Sequence, residues 1–113
     1  MKAAGAAIFD SASETWRIGP RISFPRAGFA AASNADRIVV AGGESIYSAT
    51  ALIPQVESIA VGADQWQLLP SLPEPVHGMG AAFIGKKLYV LGGSRQAGIA
   101  RNFGDVQVLE FQE

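Results

Sequence analysis

The chain has no cysteine, one histidine and only 17% charged residues across 113 positions. Without cysteine there is no disulfide, no thiolate metal site and no cysteine nucleophile, and the redox compartment stays undetermined. A lone histidine, His77, rules out a multi-histidine metal site within one chain. Nine basic residues against ten acidic ones leave a formal net charge of −1, which offers no electrostatic footprint for nucleic acid or for an anionic membrane. No apolar run approaches the roughly 18 residues that a membrane-crossing helix needs. The opening Lys2 and the small apolar residues after it are interrupted at Gly5 and ended by Asp10, too early for a secretory signal. Helical periodicity is missing too, because no stretch sustains a 3.6-residue period for three turns.

What the chain does have is 49% apolar residues, the balance of a packed protein, arranged as short runs punctuated by Gly, Pro, Asn and Asp. That punctuation predicts an all-β fold. Sliding the sequence against itself by fifty positions, without a gap, superposes Trp16 on Trp66, Pro20 on Pro70, Pro25 on Pro75, Gly28 on Gly78, Gly42-Gly43 on Gly92-Gly93 and Val56 on Val106. A fixed period of this length predicts repeated units that bury their faces against one another.

Four strands fit in one period: Phe29 to Ser33, Arg37 to Ala41, Gln55 to Ala60 and Gln65 to Leu69. The next period offers Met79 to Ile84, Lys87 to Leu91 and Val106 to Phe111, and the N-terminal part offers Ala6 to Phe9 and Thr15 to Ile18 as third and fourth strands of a partial unit. The runs Ile38-Val39-Val40-Ala41 and Leu88-Tyr89-Val90-Leu91 are continuously apolar, which predicts central strands covered on both faces. Trp16-Arg17-Ile18 and Trp66-Gln67-Leu68 alternate, which predicts outer strands. The small residues of Ala30 to Ala32 and Gly80 to Ala82 suit a place where units converge.

These elements together resemble the kelch repeat family: the apolar strand closing in Gly42-Gly43 or Gly92-Gly93, the third strand, the tryptophan that opens the fourth, and the Pro-x-x-Gly after it. Pro25-Arg26-Ala27-Gly28 is closest to the family form, Pro75-Val76-His77-Gly78 lacks the arginine, and Phe9 and Ile59 stand where the family usually has tyrosine. The resemblance implies kelch-type β-propeller blades, each a four-stranded antiparallel sheet. The chain would hold about two blades of an incomplete propeller, divided as 1–19 (partial blade), 20–69 (first repeat) and 70–113 (second repeat, lacking its fourth strand). Closed propellers have about four to eight blades, so the first expectation is a piece of a longer propeller. The second is a homo-oligomer in which Thr15 to Ile18 of one chain supplies the fourth strand of another.

Two nucleotide-like motifs fail on context. Gly80 to Lys87 approximates a phosphate-binding loop, but it reads as strand and hairpin turn and ends in lysine where Ser or Thr is needed. Gly78-Met79-Gly80 begins a dinucleotide fingerprint that Phe83 breaks. Nothing brings Ser71 or Asp105 beside His77 as a catalytic triad requires, and no cofactor is implied.

In kelch propellers the loop before each first strand and the loop between second and third strands open on one face. The resemblance therefore implies a shared mouth formed by Arg26, Glu44, Tyr47, His77, Arg95, Arg101 and Asn102, on the loops Glu44 to Ile53 and Ser94 to Phe103 and the segments before them. Arginine and tyrosine are suited to such a surface by bidentate hydrogen bonding and rigid amphipathic area. Solvated loop residues are the plain alternative for each of them, and repeat-equivalent Trp16 and Trp66 suit inter-blade packing better than ligand stacking. The implied function is a non-catalytic scaffold that binds a protein or peptide partner through its loops. The rival is a sugar-handling kelch enzyme of the sialic acid mutarotase kind, with a carbohydrate ligand and His77, Glu44 and Arg95 as acid–base candidates. A copper radical oxidase is excluded, because it requires a cysteine.

Overall fold

Alternating and continuous apolar runs of about five residues have the length and β-branched content of strands, and every regular element of the described residues is a strand. The structure, a computed structural model, describes residues 5–48, 51–97 and 104–112. The strands are β1 (Ala6–Asp10), β2 (Thr15–Gly19), β3 (Arg26–Ala27), β4 (Ala30–Ser33), β5 (Arg37–Ala41), β6 (Glu44–Ser45), β7 (Val56–Ala60), β8 (Gln67–Leu69), β9 (Gly80–Ile84), β10 (Lys87–Leu91) and β11 (Val106–Glu110). They form a four-stranded sheet β4-β5-β7-β8, a three-stranded sheet β11-β10-β9, the hairpin β1-β2 and the short ladder β3-β6. All pairings are antiparallel.

The period of fifty survives in the register. Ala31 faces Val40 as Ala81 faces Val90, Ala41 faces Val56 as Leu91 faces Val106, and Val56 faces Leu69 as Ala6 faces Gly19. Each sheet is thus one blade, or part of one, in a kelch-type propeller arrangement, and the innermost strands β4 and β9 lie side by side. Small side chains there permit the approach.

Residues directly opposite across a ladder share a face, so Val39, Ala41, Val56 and Ser58 line one side of the four-stranded blade. Leu88, Val90 and Leu109 line the facing side of the three-stranded sheet. Leu72 and Val76, from the segment joining the blades, fill the space between and complete the core. The opposite face of the three-stranded sheet is open: Leu91, Val106 and Val108 are 46%, 52% and 52% exposed, whereas the residues fifty positions earlier, Ala41, Val56 and Ser58, are at 1%, 2% and 2%. The expectation that both central strands are covered on both faces therefore needs correction. Val39, Val40 and Ala41 are buried in β5, but in β10 only Leu88 and Val90 are, because only one side of that sheet meets another blade among the described residues.

The glycine pairs end the central strands in backbone that L-residues avoid. Gly43 has φ +104°, and a Cβ there would stand 2.7 Å from the Ala27 carbonyl oxygen. Its N–H donates to Val76 O at 2.8 Å, which ties the inter-blade segment to the first blade. The stretch Gly80 to Lys87 is β9, a two-residue turn with Gly85 at φ +59°, and the start of β10. It has no helix to receive a phosphate.

Candidate functional site

The chain direction brings the ends of β5, β8 and β10 and the starts of β4, β7, β9 and β11 to one end of the sheets, where the segments between them meet. In the first repeat Ala27 pairs with Glu44. Fifty residues on, His77 pairs with Ser94, with N–H to O distances of 3.0 and 2.8 Å. Glu44 and His77 are adjacent in space although they come from different repeats: His77 Nδ1 lies 3.6 Å from Glu44 Oε2, with side chains 17% and 27% exposed.

The second imidazole nitrogen, Nε2, is 2.8 Å from Gln96 O. A carbonyl only accepts, so Nε2 carries the proton in that bond. Nδ1 is left facing the carboxylate. Gly28, at φ +62°, floors this junction, since a Cβ there would come within 3.6 Å of Glu44 Oε2 and 3.7 Å of His77 Nδ1. Gly78 N–H donates to Gly28 O at 2.7 Å beneath it. One imidazole therefore joins three loops: the segment before β9 and the second-to-third strand loops of both repeats. Tyr47, 72% exposed, and Arg95, also exposed, belong to the second-to-third strand loops of the first and second repeats. Arg101 and Asn102 fall outside the described residues. Among the described residues no three His, Cys, Asp or Glu side chains cluster as a metal site requires.

Arg26 is not at the mouth, and its expected place there is corrected. Its side chain is fully buried. Nε donates to Phe24 O at 3.0 Å, one terminal nitrogen to Gly42 O and Gln55 O at 3.0 and 2.8 Å, and the other to Glu57 Oε2 at 2.6 Å. Glu57, equally buried, also accepts from the Ser23 and Phe24 N–H groups at 2.7 and 3.1 Å. Burial lowers the Arg26 pKa below its ordinary value, and the charge and hydrogen bond of Glu57 oppose that shift. The short β3–β6 ladder turns the side chain inward beneath Gly42, so Arg26 latches the entering segment to its blade.

Glu57, which sequence reasoning passed over, had a visible signal: a carboxylate in the middle of Val56-Glu57-Ser58-Ile59, an otherwise strand-like run that must bury one face, needs a cation or donors. The repeat supplies a second signal. Where Arg26 and Glu57 stand in the first unit, the second has Val76 and Gln107. Gln107 replaces the ionic latch with a neutral one, accepting from Glu74 N–H and donating to Glu74 O, both at 2.9 Å.

No family model matches the chain. An F-box/kelch-repeat protein of Arabidopsis thaliana is 33% identical over 67 residues, which cover 59% of this chain and 17% of that protein. The solved structure of YjhT aligns with a TM-score of 0.66 at 20% identity over 80% of this chain and 27% of that one. The chain thus spans well under a third of either. At such identity the structural likeness speaks for the fold, and it agrees with the blades, the shared register and the glycine pairs described above. Taken with the kelch-repeat relative and the Trp and Pro-x-x-Gly positions that recur every fifty residues, it supports the resemblance of the chain to the kelch repeat family.

Proposed function

We propose that the chain is a kelch-repeat binding module that takes a protein or peptide partner on the loop end of its blades. The observation that carries this is the junction of three loops at His77, with Glu44 and Gln96 fixing the imidazole and Tyr47 and Arg95 exposed on two of those loops. Loops that present an aromatic ring and a guanidinium are the makings of a contact hot spot. Arg101 and Asn102 belong to the proposed surface by their position in the second of these loops, and Arg26 does not. The division into 1–19, 20–69 and 70–113 is proposed to follow the sheets, each segment contributing to one blade.

A second reading, a mutarotase-type activity on a sugar, is favoured by one feature. His77 beside a carboxylate, with its tautomer held by a carbonyl, is an arrangement that accepts and returns a proton. One experiment separates the two. A Tyr47→Ala/Arg95→Ala variant and a His77→Asn variant are compared for peptide capture from a displayed library and for anomer exchange of sialic acid by NMR. The binding reading expects selected peptides to lose at least about tenfold in affinity for Tyr47→Ala/Arg95→Ala. Unchanged affinity refutes it, and anomer exchange that vanishes in His77→Asn moves the assignment to the enzyme.

A further inference from the structure

The described chain has a tryptophan without a socket at one end and a socket without a tryptophan at the other. In the four-stranded blade, Trp66 opens the outer strand and its indole N–H donates to Pro20 O at 3.0 Å, closing the gap between the blade and the segment that leads into it. The same place in the three-stranded sheet, fifty residues on, is a cavity of about 170 Å³ lined by Pro70, Leu72, Leu88, Val90, Gln107 and Leu109. β11 is the outermost strand there, with no described strand on its free edge. Trp16 is the repeat equivalent of Trp66, yet it is 68% exposed and touches the ring of Phe9 at 5.2 Å between centroids.

We infer that Thr15–Gly19 of a second copy of this chain adds to the free edge of β11, placing Trp16 in that cavity and joining the copies head to tail. Register supports this occupant. Ala6 faces Gly19 and Phe9 faces Trp16 in the hairpin, and Val56 faces Leu69 in the complete blade. Carried forward by the period, Val106 meets the incoming Gly19, Val108 meets Arg17 and Leu109 meets Trp16. Glu110 then lies diagonal to Arg17 on one face, as Asp10 does in the hairpin, and opposite charges so placed attract.

The exchange costs little at its source. β2 leaves a two-stranded sheet, which is marginal by itself, and whose Phe9, Trp16 and Ile18 are 47%, 68% and 83% exposed. It forms the same kind of ladder with β11, so backbone hydrogen bonds are traded and not lost. The hairpin turn holds Glu14 at φ +56°, a left-handed conformation that costs a residue with a Cβ, and short strained hinges favour strand exchange. Covering the open face follows from the topology. Within the chain, β8 leads through residues 70–79 to a sheet that covers Val39, Ala41, Val56 and Ser58. The incoming β2 likewise leads through its own residues 20–29 to a blade that covers Leu91, Val106 and Val108. The contact is heterologous, one surface against a different one.

Sedimentation velocity of the 113-residue chain tests this, with two variants at exposed sites outside the core. Trp16→Ser removes the plug and Val108→Lys spoils the face around the socket. The unsubstituted chain is expected to gain mass with concentration in multiples of 11.8 kDa. Either variant alone should associate about thirtyfold more weakly. Mixed together, they should form a one-to-one dimer and nothing larger, because one plug and one socket remain intact. A synthetic peptide of residues 14–20 should compete. An unsubstituted chain that stays monomeric overturns the inference even if it binds the peptide, since the slot then belongs to another strand. Assembly that ignores Trp16→Ser, or a mixture that fails to pair, overturns it equally.

Discussion

Replacing Arg26 by valine imposes on the first repeat half of what the second already has, and the outcome can be worked from the two latches. Arg26→Val removes four hydrogen bonds and leaves the Glu57 carboxylate buried with only the Ser23 and Phe24 N–H groups as partners. Breaking a buried pair from one side costs about 3–5 kcal/mol, a large share of the roughly 5–15 kcal/mol that holds a domain folded. Glu57→Gln alone strands the guanidinium and costs a similar amount. The double variant, Arg26→Val with Glu57→Gln, reproduces the Val76–Gln107 arrangement, in which an amide bonds a backbone N–H and C=O and no charge is buried. It still loses the donors to Gly42 O and Gln55 O, at about 1 kcal/mol each, and so should sit about 1–3 kcal/mol below the parent and above either single variant. Urea unfolding followed by tryptophan fluorescence supplies the three differences for a double-mutant cycle. The reasoning is refuted if Arg26→Val lies within about 1 kcal/mol of the parent, or if the double variant is less stable than both singles.

Gly43→Ala should destabilise the chain by about 3 kcal/mol or more, because the strained φ is joined by a Cβ driven into the Ala27 carbonyl. Gly62→Ala, at φ +82° but with nothing within 4 Å of the added Cβ, should cost only about 1–2 kcal/mol. Thermal melts of the pair separate backbone conformation from close approach, and equal losses would contradict the packing described. His77→Ala should lower stability by only about 1 kcal/mol, while amide exchange at Gln96 and Glu44 quickens as the loop junction comes apart. Unchanged exchange at both would show that His77 does not join the loops.

Strand positions were legible because two independent signals coincide: short apolar runs bounded by Gly, Pro, Asn and Asp, and a gapless period of fifty between runs. Val40 with Val90 and Val56 with Val106 fix the register of whole sheets once one pairing is placed. Arg26 was misread because its neighbours have loop composition and a two-residue ladder is too short to show periodicity, so nothing local announces that the side chain turns inward. Its partner Glu57 lies 31 positions away, and only the joint change to Val76 and Gln107 links the two in the sequence. For Glu44 and His77 the resemblance implied only a common end of the blades, and the 3.6 Å approach of their side chains had no signal in the sequence. The role of Gln96 O in fixing the imidazole is main-chain geometry, on which side-chain identity is silent. The open face of β10 and β11 was equally hidden, since Leu91, Val106 and Val108 are as apolar as residues that are covered.

The central claim is that successive repeats pack face against face, with Leu72 and Val76 between them. Methyl-to-methyl nuclear Overhauser effects on selectively labelled protein test it most directly. The account predicts cross-peaks that connect Val39 and Val56 with Leu88 and Val90, directly or through Leu72 and Val76. A spectrum that keeps the contacts within each sheet, such as Ala81 to Val90 across β9 and β10, but lacks every contact between the two sheets would contradict it.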